Sequence, residues 1–373
     1  MAAYRFKPKL RSEWLLEKQN GEILAMGEVL QLLAAVDECG HIAGACQARG
    51  ISYRHAWGIL RKAEEEFQVA LIETSRRRGS RLTSFAQHLL WAHRRIDARL
   101  APTFESIASE LQDELQRLYS EELSVLRLHA SHGFAVEGLM RLANDQDLMP
   151  LELRYRTAIE ALTSLDRREC DLAGFQVPVA KYEKPILERY ARWLDPDRML
   201  LLHLAERNTG LFVRPDNPKN IQSISDLVRP DVRFVNRQIG SSTRFLVNLM
   251  LEDLDIDPND VRGFDTGEFT HMAIAAHIAS GMADVGIGVE TAAWRCGLAF
   301  IPLAKERYFF GINKDLVGTH ALQRLLDLMN GEAYQAYVKD LVGYDSRQMG
   351  QVQTLEQAFG GDFPRMPDNV PLG

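Results

Sequence analysis

Apolar residues recur at the three- and four-residue intervals of amphipathic helices between residues 28 and 67. Gly40 and Gly50 divide this stretch into three predicted helices, and Ser52 is placed to cap the third, at 53–66. A short strand, a basic turn and a returning strand are then predicted at 69–73, 75–81 and 82–83. Helices joined by tight glycine turns and followed by a hairpin predict a winged helix-turn-helix over residues 1–83.

A long amphipathic helix is predicted next, over residues 84–120, although Pro102 lies within it. Its apolar stripe needs a partner, which is either a second copy of the chain or the rest of its own chain. The pattern alone leaves both partners open.

The pattern changes after residue 121, where short apolar strands alternate with helices up to about residue 345. Strands are predicted at 125–130, 151–155, 171–177, 200–204 with 210–213, 233–239, a segment ending at 263–265, 281–288 and 298–303. Such alternation predicts open parallel sheets of the α/β class, here in two lobes, with ligands bound at the carboxyl ends of the strands. Residues 121–373 are therefore expected to form a two-lobed ligand-binding domain.

Side chains on the outer face of the third helix are expected to contact double-stranded DNA, because such a helix enters the major groove. These residues are Ser52, Tyr53, Arg54, His55 and Arg61. Four arginines of the basic turn suit phosphates or a minor groove, namely Arg76, Arg77, Arg78 and Arg81. A solvated loop is the alternative for this charge cluster, and the preceding helices make it the less favoured one.

A strand, a glycine turn, three hydroxyl residues and a helix start follow one another at residues 233–246. Free N–H groups, the helix dipole and hydroxyls together form an anion site, to which nearby arginines add charge. We expect ligand contacts from this stretch at Arg237, Ser241, Ser242, Thr243 and Arg244. Further contacts are expected at Ser131, His132, Gln176, His271 and Tyr308. Simple helix capping by the hydroxyl residues is the alternative.

Charge is distributed unevenly along the 373 residues. Residues 1–100 carry 16 Lys and Arg against 11 Asp and Glu, a balance of +5, whereas the remainder carries 28 against 40, a balance of −12. This split favours a polyanionic partner for the first part alone. No apolar core follows the basic residues of the start and no stretch is long enough to span a membrane, so we expect a cytoplasmic location.

The runs GHIAGACQARGISYRHAWGIL and LIETSRRRGSRLTSFAQHLL resemble the DNA-binding domain of LysR-type regulators, and still more that of the molybdate-responsive regulators. The stretch Gly-Met-Ala-Asp-Val-Gly-Ile-Gly at 281–288 resembles the second lobe of type II periplasmic-binding-protein folds, closest to molybdate-binding ones. The β-barrel modules in which molybdate-responsive regulators bind their anion have no counterpart in this sequence. The resemblance therefore implies a two-lobed effector domain, with linker helices that pair subunits into a homodimer or homotetramer.

These features favour a transcriptional regulator, not an enzyme, with no cofactor beyond a small anionic effector such as molybdate or tungstate. An organic carboxylate such as formate is the alternative ligand. A ligand-binding enzyme or scaffold fused to a helix-turn-helix is the alternative class, although the adjacent Ser131 and His132 lack an evident third catalytic partner. The cysteines lack zinc-finger spacing, and no metal site is expected.

Overall fold

The structure, a computed structural model, describes residues 7–75, 79–119, 125–145 and 150–360. Its contacts divide the chain into two compact units, residues 11–100 and the chain from residue 101 onward.

The N-terminal unit contains three short helices and two hairpins. Its helices are α1 (Gly27–Cys39), α2 (Ile42–Arg49) and α3 (Tyr53–Phe67). Its hairpins are formed by β1 (Leu15–Glu17) with β2 (Ile23–Ala25), and by β3 (Ile72–Ser75) with β4 (Gly79–Leu82). The three predicted helices and the second hairpin are confirmed, whereas the first hairpin was not predicted from the pattern.

Local signals explain where these helices begin and end. The hydroxyl of Ser52 accepts a hydrogen bond from the His55 backbone N–H at 3.1 Å, which caps α3 as predicted. Gly40 and Gly50 end α1 and α2 in the left-handed conformation that glycine adopts without strain. The inward faces of the three helices share one apolar core, which includes Leu32, Ala56 and Leu60.

Helix α4 (Ser84–Tyr119) is a single long helix with Pro102 inside it. Ala86 and Leu90 are buried in the core of the N-terminal unit, whereas the residues from Ala101 onward belong to the C-terminal unit. There, the hydroxyls of Ser109 and Ser106 accept hydrogen bonds from backbone N–H groups at 2.8 and 3.0 Å. The half of α4 from Ala101 onward therefore packs on its own chain, as in the alternative interpretation. Pairing of α4 between subunits stays a prediction.

The C-terminal unit contains one mixed sheet whose strands fall into two lobes joined by two long strands. The strands are β5 (Leu126–Ala130), β6 (Leu151–Tyr155), β7 (Leu172–Pro178), β8 (Met199–Val213), β9 (Phe234–Arg237), β10 (Gly267–Glu268), β11 (Val285–Val289), β12 (Ala299–Asn313), β13 (Tyr344–Asp345) and β14 (Val352–Gln353). Their order along the main path is β10-β9-β11-β8-β12-β7-β5-β6, with β13 and β14 paired to β8.

Within each lobe the short strands are parallel, as predicted: β5 with β6 and β7 in lobe I, and β9 with β10 and β11 in lobe II. The long strands β8 and β12 are antiparallel to each other and to the adjacent strands β11 and β7. Each runs through both lobes, which confirms the prediction that 200–204 and 210–213 form a strand passing between the lobes. Lobe I therefore holds β5–β7, and lobe II holds β9–β11.

Helices cover the faces of this sheet. They are α5 (Phe134–Asp145), α6 (Ala158–Asp166), α7 (Glu183–Tyr190), α8 (Ser242–Glu252), α9 (His271–Ala279), α10 (Glu290–Arg295), α11 (His320–Asn330), α12 (Glu332–Lys339) and α13 (Leu355–Phe359). Thr157 and Thr270 cap α6 and α9 through their side chains, because each threonine precedes an apolar helical run.

One predicted strand is wrong. The segment ending at 263–265 forms turns, and Gly263 has φ +92°, a left-handed conformation that interrupts an extended chain. The strand of this region is β10, which lies just beyond it and pairs with β9 in parallel.

Within the described residues, no single helix is long and apolar enough to cross a bilayer. The pair α1 and α2 meets that test together by length and composition, with a bend of 118° between the two helices.

Candidate functional site

The N-terminal unit presents the start of α3 to solvent. Tyr53, Arg54 and His55 are exposed, as are Ser52 before them and Arg61 two turns on. Ala56, on the opposite face of α3, is fully buried, which fixes the exposed face. This is the geometry that the DNA-contact prediction requires.

The hairpin of β3 and β4 follows α3 and is tied to it. The Glu64 carboxylate of α3 accepts hydrogen bonds from the Leu71 and Ile72 backbone N–H groups at 2.7 and 3.3 Å. Arg81 on β4 is exposed. The predicted contacts Arg76, Arg77 and Arg78 lie outside the described residues.

Trp57 is half-buried against the core of the N-terminal unit, as expected of a residue that braces α3. Its ring centroid lies 6.2 Å from that of Tyr53 in an edge-to-face arrangement. The Trp57 ring therefore packs against the ring of the exposed Tyr53.

In the C-terminal unit, a cavity of about 450 Å³ lies between the two lobes. Eight of the ten predicted ligand residues line it: Ser131, His132, Gln176, Arg237, Ser241, Ser242, Thr243 and His271. They come together because β5, β7 and β9 end at this edge of the sheet, as the carboxyl-end rule for parallel strands requires. Their role in ligand binding stays a prediction.

The glycine turn before α8 sets the geometry of lobe II at the cavity. Gly240 has φ +87°, and Ser241 after it caps α8 by accepting a hydrogen bond from the Arg244 N–H at 3.1 Å. Ser241, Ser242 and Thr243 at this helix start line the cavity. The first N–H groups of a helix have no intrahelical acceptors. The capping alternative and the anion site are therefore compatible, because Ser241 caps while its hydroxyl hydrogen stays available.

A chain of side-chain hydrogen bonds joins the two lobes across the cavity. The Ser242 hydroxyl donates to the Gln176 Oε1 at 2.7 Å, and the Gln176 Nε2 donates to the Ser131 hydroxyl oxygen at 2.8 Å. The Tyr308 hydroxyl donates to the Ser131 carbonyl at 3.2 Å. Tyr308 is not among the residues that line the cavity, and its hydrogen bond positions Ser131. The sequence analysis had instead predicted a direct ligand contact for Tyr308.

Two buried arginines supply positive charge to the cavity. Arg207 and Arg237 are 2% and 3% exposed, and both line the cavity. Arg207 pairs with buried Glu306 at 3.0 Å, and the Arg237 Nη1 donates to the Glu268 carbonyl at 2.8 Å. Among the described residues, the Arg207 Nη1 and the Arg237 Nε have no hydrogen-bond acceptor. Buried donors are nearly always satisfied, so these two atoms favour a ligand that carries an acceptor.

The two cavity histidines are neutral at neutral pH. Burial, reinforced by the charge of Arg237, lowers the pKa of His132 to about 3. The same two causes lower the pKa of His271 well below its usual value. Burial also lowers the pKa of Arg237, because its charged form lies in a poorly solvated place. An anion beside Arg237 would stabilise that charged form.

Arg244 is placed differently from the expectation. Its guanidinium stacks 4.7 Å from the Phe264 ring centroid, and it donates to the Asp265 carboxylate at 3.1 Å. The guanidinium also donates to the Arg237 carbonyl at 3.3 Å, so Arg244 holds the end of β9 and is not among the residues that line the cavity. The expected charge contribution of Arg244 at the cavity is therefore corrected to Arg207, which the sequence analysis missed. The sequence carried no distinct signal for it, because Arg207 lies in the polar run Glu206-Arg207-Asn208-Thr209 in the middle of β8.

Helix α4 forms a further wall of the cavity, next to residues 155–158 and 160 at the end of β6 and the start of α6. Pro102, Thr103, Ser106, Ile107 and Glu110 line it from this side. The sequence analysis assigned the helix to subunit pairing alone and did not place it at the ligand site.

His277 is not part of this cavity wall. Its Nε2 lies 2.8 Å from the Glu268 carboxylate. No group of three or more metal-ligating side chains occurs in the described part of the chain.

Comparison with known proteins matches two regions to families. Residues 28–87 match the bacterial regulatory helix-turn-helix of the lysR family, and residues 139–330 match the PBP superfamily domain. The second match spans half of the chain, so the chain belongs to the PBP superfamily, and its first domain is of the lysR family. This domain composition is that of a LysR-type transcriptional regulator.

Two curated relatives carry no described function. The uncharacterized protein YvgK of Bacillus subtilis is 32% identical over 202 residues, which are 53% of this chain and 64% of YvgK. The chain thus spans somewhat less than two thirds of that relative. An uncharacterized protein from the 5′ region of a 2Fe-2S ferredoxin gene of Clostridium pasteurianum is 34% identical over 102 residues, which are 27% of this chain and 90% of that protein.

Solved structures with a likeness to this chain include LysR-type regulators. An H2O2-bound OxyR mutant of Corynebacterium glutamicum is 17% identical, with a TM-score of 0.41 and coverage of 83% of this chain and 92% of that one. Full-length BenM is 13% identical, with a TM-score of 0.40 and coverage of 83% and 96%. CbnR, a LysR family transcriptional regulator, is 17% identical, with a TM-score of 0.36 and coverage of 80% and 98%.

Proposed function

We propose that this chain regulates transcription by binding double-stranded DNA through α3 and the β3–β4 hairpin, and that it senses a small anion between the lobes of its C-terminal unit. The observation that carries the ligand half is the pair of buried arginines with unsatisfied donors beside the start of α8. A buried guanidinium that keeps one N–H group without an acceptor is destabilising, and an anion bound there would offset that cost.

The donors of this site suit either of two ligand classes. Guanidinium groups, hydroxyls and N–H groups bind the oxygens of a molybdate- or tungstate-like oxyanion and of a carboxylate alike. Both classes therefore belong to the proposal. Neutral His132 and His271 can each donate one further hydrogen bond to either class.

Ligand binding would act on DNA binding through the lobes. The Ser242–Gln176 bond joins lobe II to lobe I directly, so an anion that reorganises these side chains changes how the lobes are held together. In a homodimer or homotetramer, such a change would alter the spacing of two DNA-binding domains.

A matched pair of arginine variants tests the ligand site. Arg237→Gln should weaken binding of the best anion about ten- to hundredfold, because a hydrogen bond to a charged group contributes about 1.5–3 kcal/mol. Arg262→Gln should leave binding within about twofold, since Arg262 is an exposed arginine of lobe II that does not line the cavity.

The measurement is calorimetry of the full-length protein with molybdate, tungstate, sulfate, phosphate and formate, with circular dichroism to verify that both variants fold. The same proteins are then titrated onto promoter DNA with and without the anion that binds best. Equal weakening of anion binding in the two variants, or no anion bound below millimolar concentration, would contradict the proposed site.

A further inference from the structure

Gly58 lies in the interior of α3, where glycine is an unfavourable residue. Only proline is worse in the middle of a helix, because glycine loses more backbone freedom on folding than any other residue. The backbone at residue 58 is regular helix, without the positive φ that would favour glycine. The conformation of α3 therefore gives no reason for a glycine at this position.

Packing within the chain gives no reason for it either. Among the described residues, a Cβ at position 58 would meet no atom within 4 Å, apart from the helix backbone around it and its two sequence neighbours. Gly44 in α2 shows the opposite situation, since a Cβ there would lie 2.6 Å from the His41 ring. Glycine thus avoids a clash at position 44, whereas position 58 has room for a side chain.

Position 58 is at the centre of the exposed face of α3. Successive residues of a helix are rotated by about 100°, which places Gly58 opposite the buried residues Ala56, Leu60 and Ala63. Exposed side chains with hydrogen-bond donors lie one turn before it and one turn after it, namely Arg54, His55, Arg61 and Lys62. A stretch of bare backbone is therefore surrounded by the side chains that suit DNA.

Charge restricts which part of this face suits a polyanion. The end of α3 carries three acidic residues, at 64–66, whose carboxylates repel phosphates. Two of them have partners within the N-terminal unit: Glu64 accepts the N–H groups before β3, and Glu66 pairs with Lys18 at 2.7 Å. The part of α3 that suits DNA is therefore its first two and a half turns, which include Gly58.

We infer that Gly58 is the point of closest approach between α3 and DNA, and that its missing side chain lets the helix enter the major groove deeply enough to contact base edges. This inference rests on the proposed function and adds a positioning residue to it. A side chain at position 58 would hold the helix away from the bases. The hydrogen bonds of Arg54 and His55 would then exceed their usual length of about 2.7–3.2 Å. Long side chains that bind phosphates can follow such a shift, so binding that is independent of DNA sequence would persist.

The experiment compares Gly58→Ala and Gly58→Leu in the full-length protein. The operator probe is the duplex that the unchanged protein selects from a pool of randomised DNA, and a scrambled duplex of equal length is the reference. Fluorescence anisotropy should show operator binding weakened about tenfold in Gly58→Ala and roughly a hundredfold in Gly58→Leu. Binding to the scrambled duplex should stay within about threefold in both variants.

Stability should change in the opposite direction. Alanine and leucine are better helix formers than glycine, so both variants should raise the Tm by about 1–5 °C. Gly27→Ala is the matched control, because Gly27 is also helical with open space at its Cβ position but lies in α1. Its operator binding should stay within about twofold of the unchanged protein, because the same substitution is made outside α3.

Operator binding within about twofold of the unchanged protein in both Gly58 variants, or a lower Tm in Gly58→Ala, would overturn the inference. The double variant Arg54→Ala with His55→Ala tests the proposed function separately. Lost discrimination in that variant supports base reading by α3 even where the Gly58 variants bind normally. If the unchanged protein selects no duplex from the pool, the proposed function fails together with the inference.

Discussion

Buried histidines make the stability of the C-terminal unit depend on pH. Burial is the largest cause that lowers the pKa of His203 and of His129 to about 4 each. His203 is fully buried, and among the described residues neither of its ring nitrogens has a hydrogen-bond partner. Because these pKa values are lower in the folded than in the unfolded chain, the unfolded chain binds protons first as the pH falls below about 6.5.

The free energy of unfolding should therefore fall between about pH 6.5 and pH 4, by up to about 1.4 kcal/mol per pH unit for each such histidine. In His203→Gln one of these contributions is removed, so its Tm should fall less between pH 7 and pH 5 than that of the unchanged protein. Thermal melts at both pH values measure this difference, with His320→Gln, a change at an exposed histidine, as the control. An identical pH dependence in all three proteins would show that His203 does not titrate on unfolding.

Some residues of the cavity could be predicted from the sequence, and others could not. The hydroxyl run at 241–243 and the strand-end residues Ser131 and Gln176 could be predicted, because strand ends and helix starts leave a pattern in the sequence. Arg207 could not, since its role depends on the antiparallel pairing of β8 with β12, which places it opposite Glu306. Arg244 was misplaced because sequence proximity to a helix start does not determine the direction of a side chain.

At the scale of elements, the two segments that are predicted to contact DNA should act differently. The start of α3 carries exposed Arg54 and His55 on a rigid, capped turn, which suits contacts with base edges. Arg76, Arg77 and Arg78, which lie outside the described residues, suit phosphates, whose contribution to binding is independent of DNA sequence and falls with salt.

Changing Arg54 and His55 to Ala should relax the preference for operator over random DNA by about ten- to hundredfold, because a good contact to a base contributes about 1–3 kcal/mol of discrimination. Changing Arg76, Arg77 and Arg78 to Ala should weaken binding to both DNAs alike and reduce the salt slope by about one for each phosphate that is no longer bound. Fluorescence anisotropy with both DNAs over a salt series measures this. If both variants lost the preference for operator DNA to the same extent, the assignment of base contacts to α3 and phosphate contacts to residues 76–78 would be wrong.

Elements with strong local signals were predicted closely, and those that depend on pairing were not. Helices α2, α3 and α6 begin at capping residues, so their starts follow from the sequence. The two- and three-residue strands β1, β2, β13 and β14 are too short to show alternation and exist through their partners. The same reason explains the error at 263–265, where β10 comprises two residues.

At the scale of the whole molecule, the two-domain order of the chain was predictable, because the hydrophobic period changes from helical to alternating near residue 121. The role of α4 could be predicted only in part. Its sequence shows an apolar stripe but not which surface covers it, and the structure covers different parts of it differently. Ala86 and Leu90 are buried in the N-terminal unit, whereas Leu100 and Leu111 are 36% and 38% exposed.

We predict that the full-length protein is a homodimer or homotetramer whose contacts include these exposed leucines of α4. Introducing Leu100→Glu and Leu111→Glu together should weaken self-association at least tenfold, because two charged groups would have to be buried in an apolar contact. Sedimentation velocity from about one to tens of micromolar measures the change, and Val228→Glu, at an apolar residue of the C-terminal unit that is 38% exposed, is the matched control. A monomeric unchanged protein at tens of micromolar would contradict subunit pairing. Unchanged association in the double variant would place the contact on a surface other than α4.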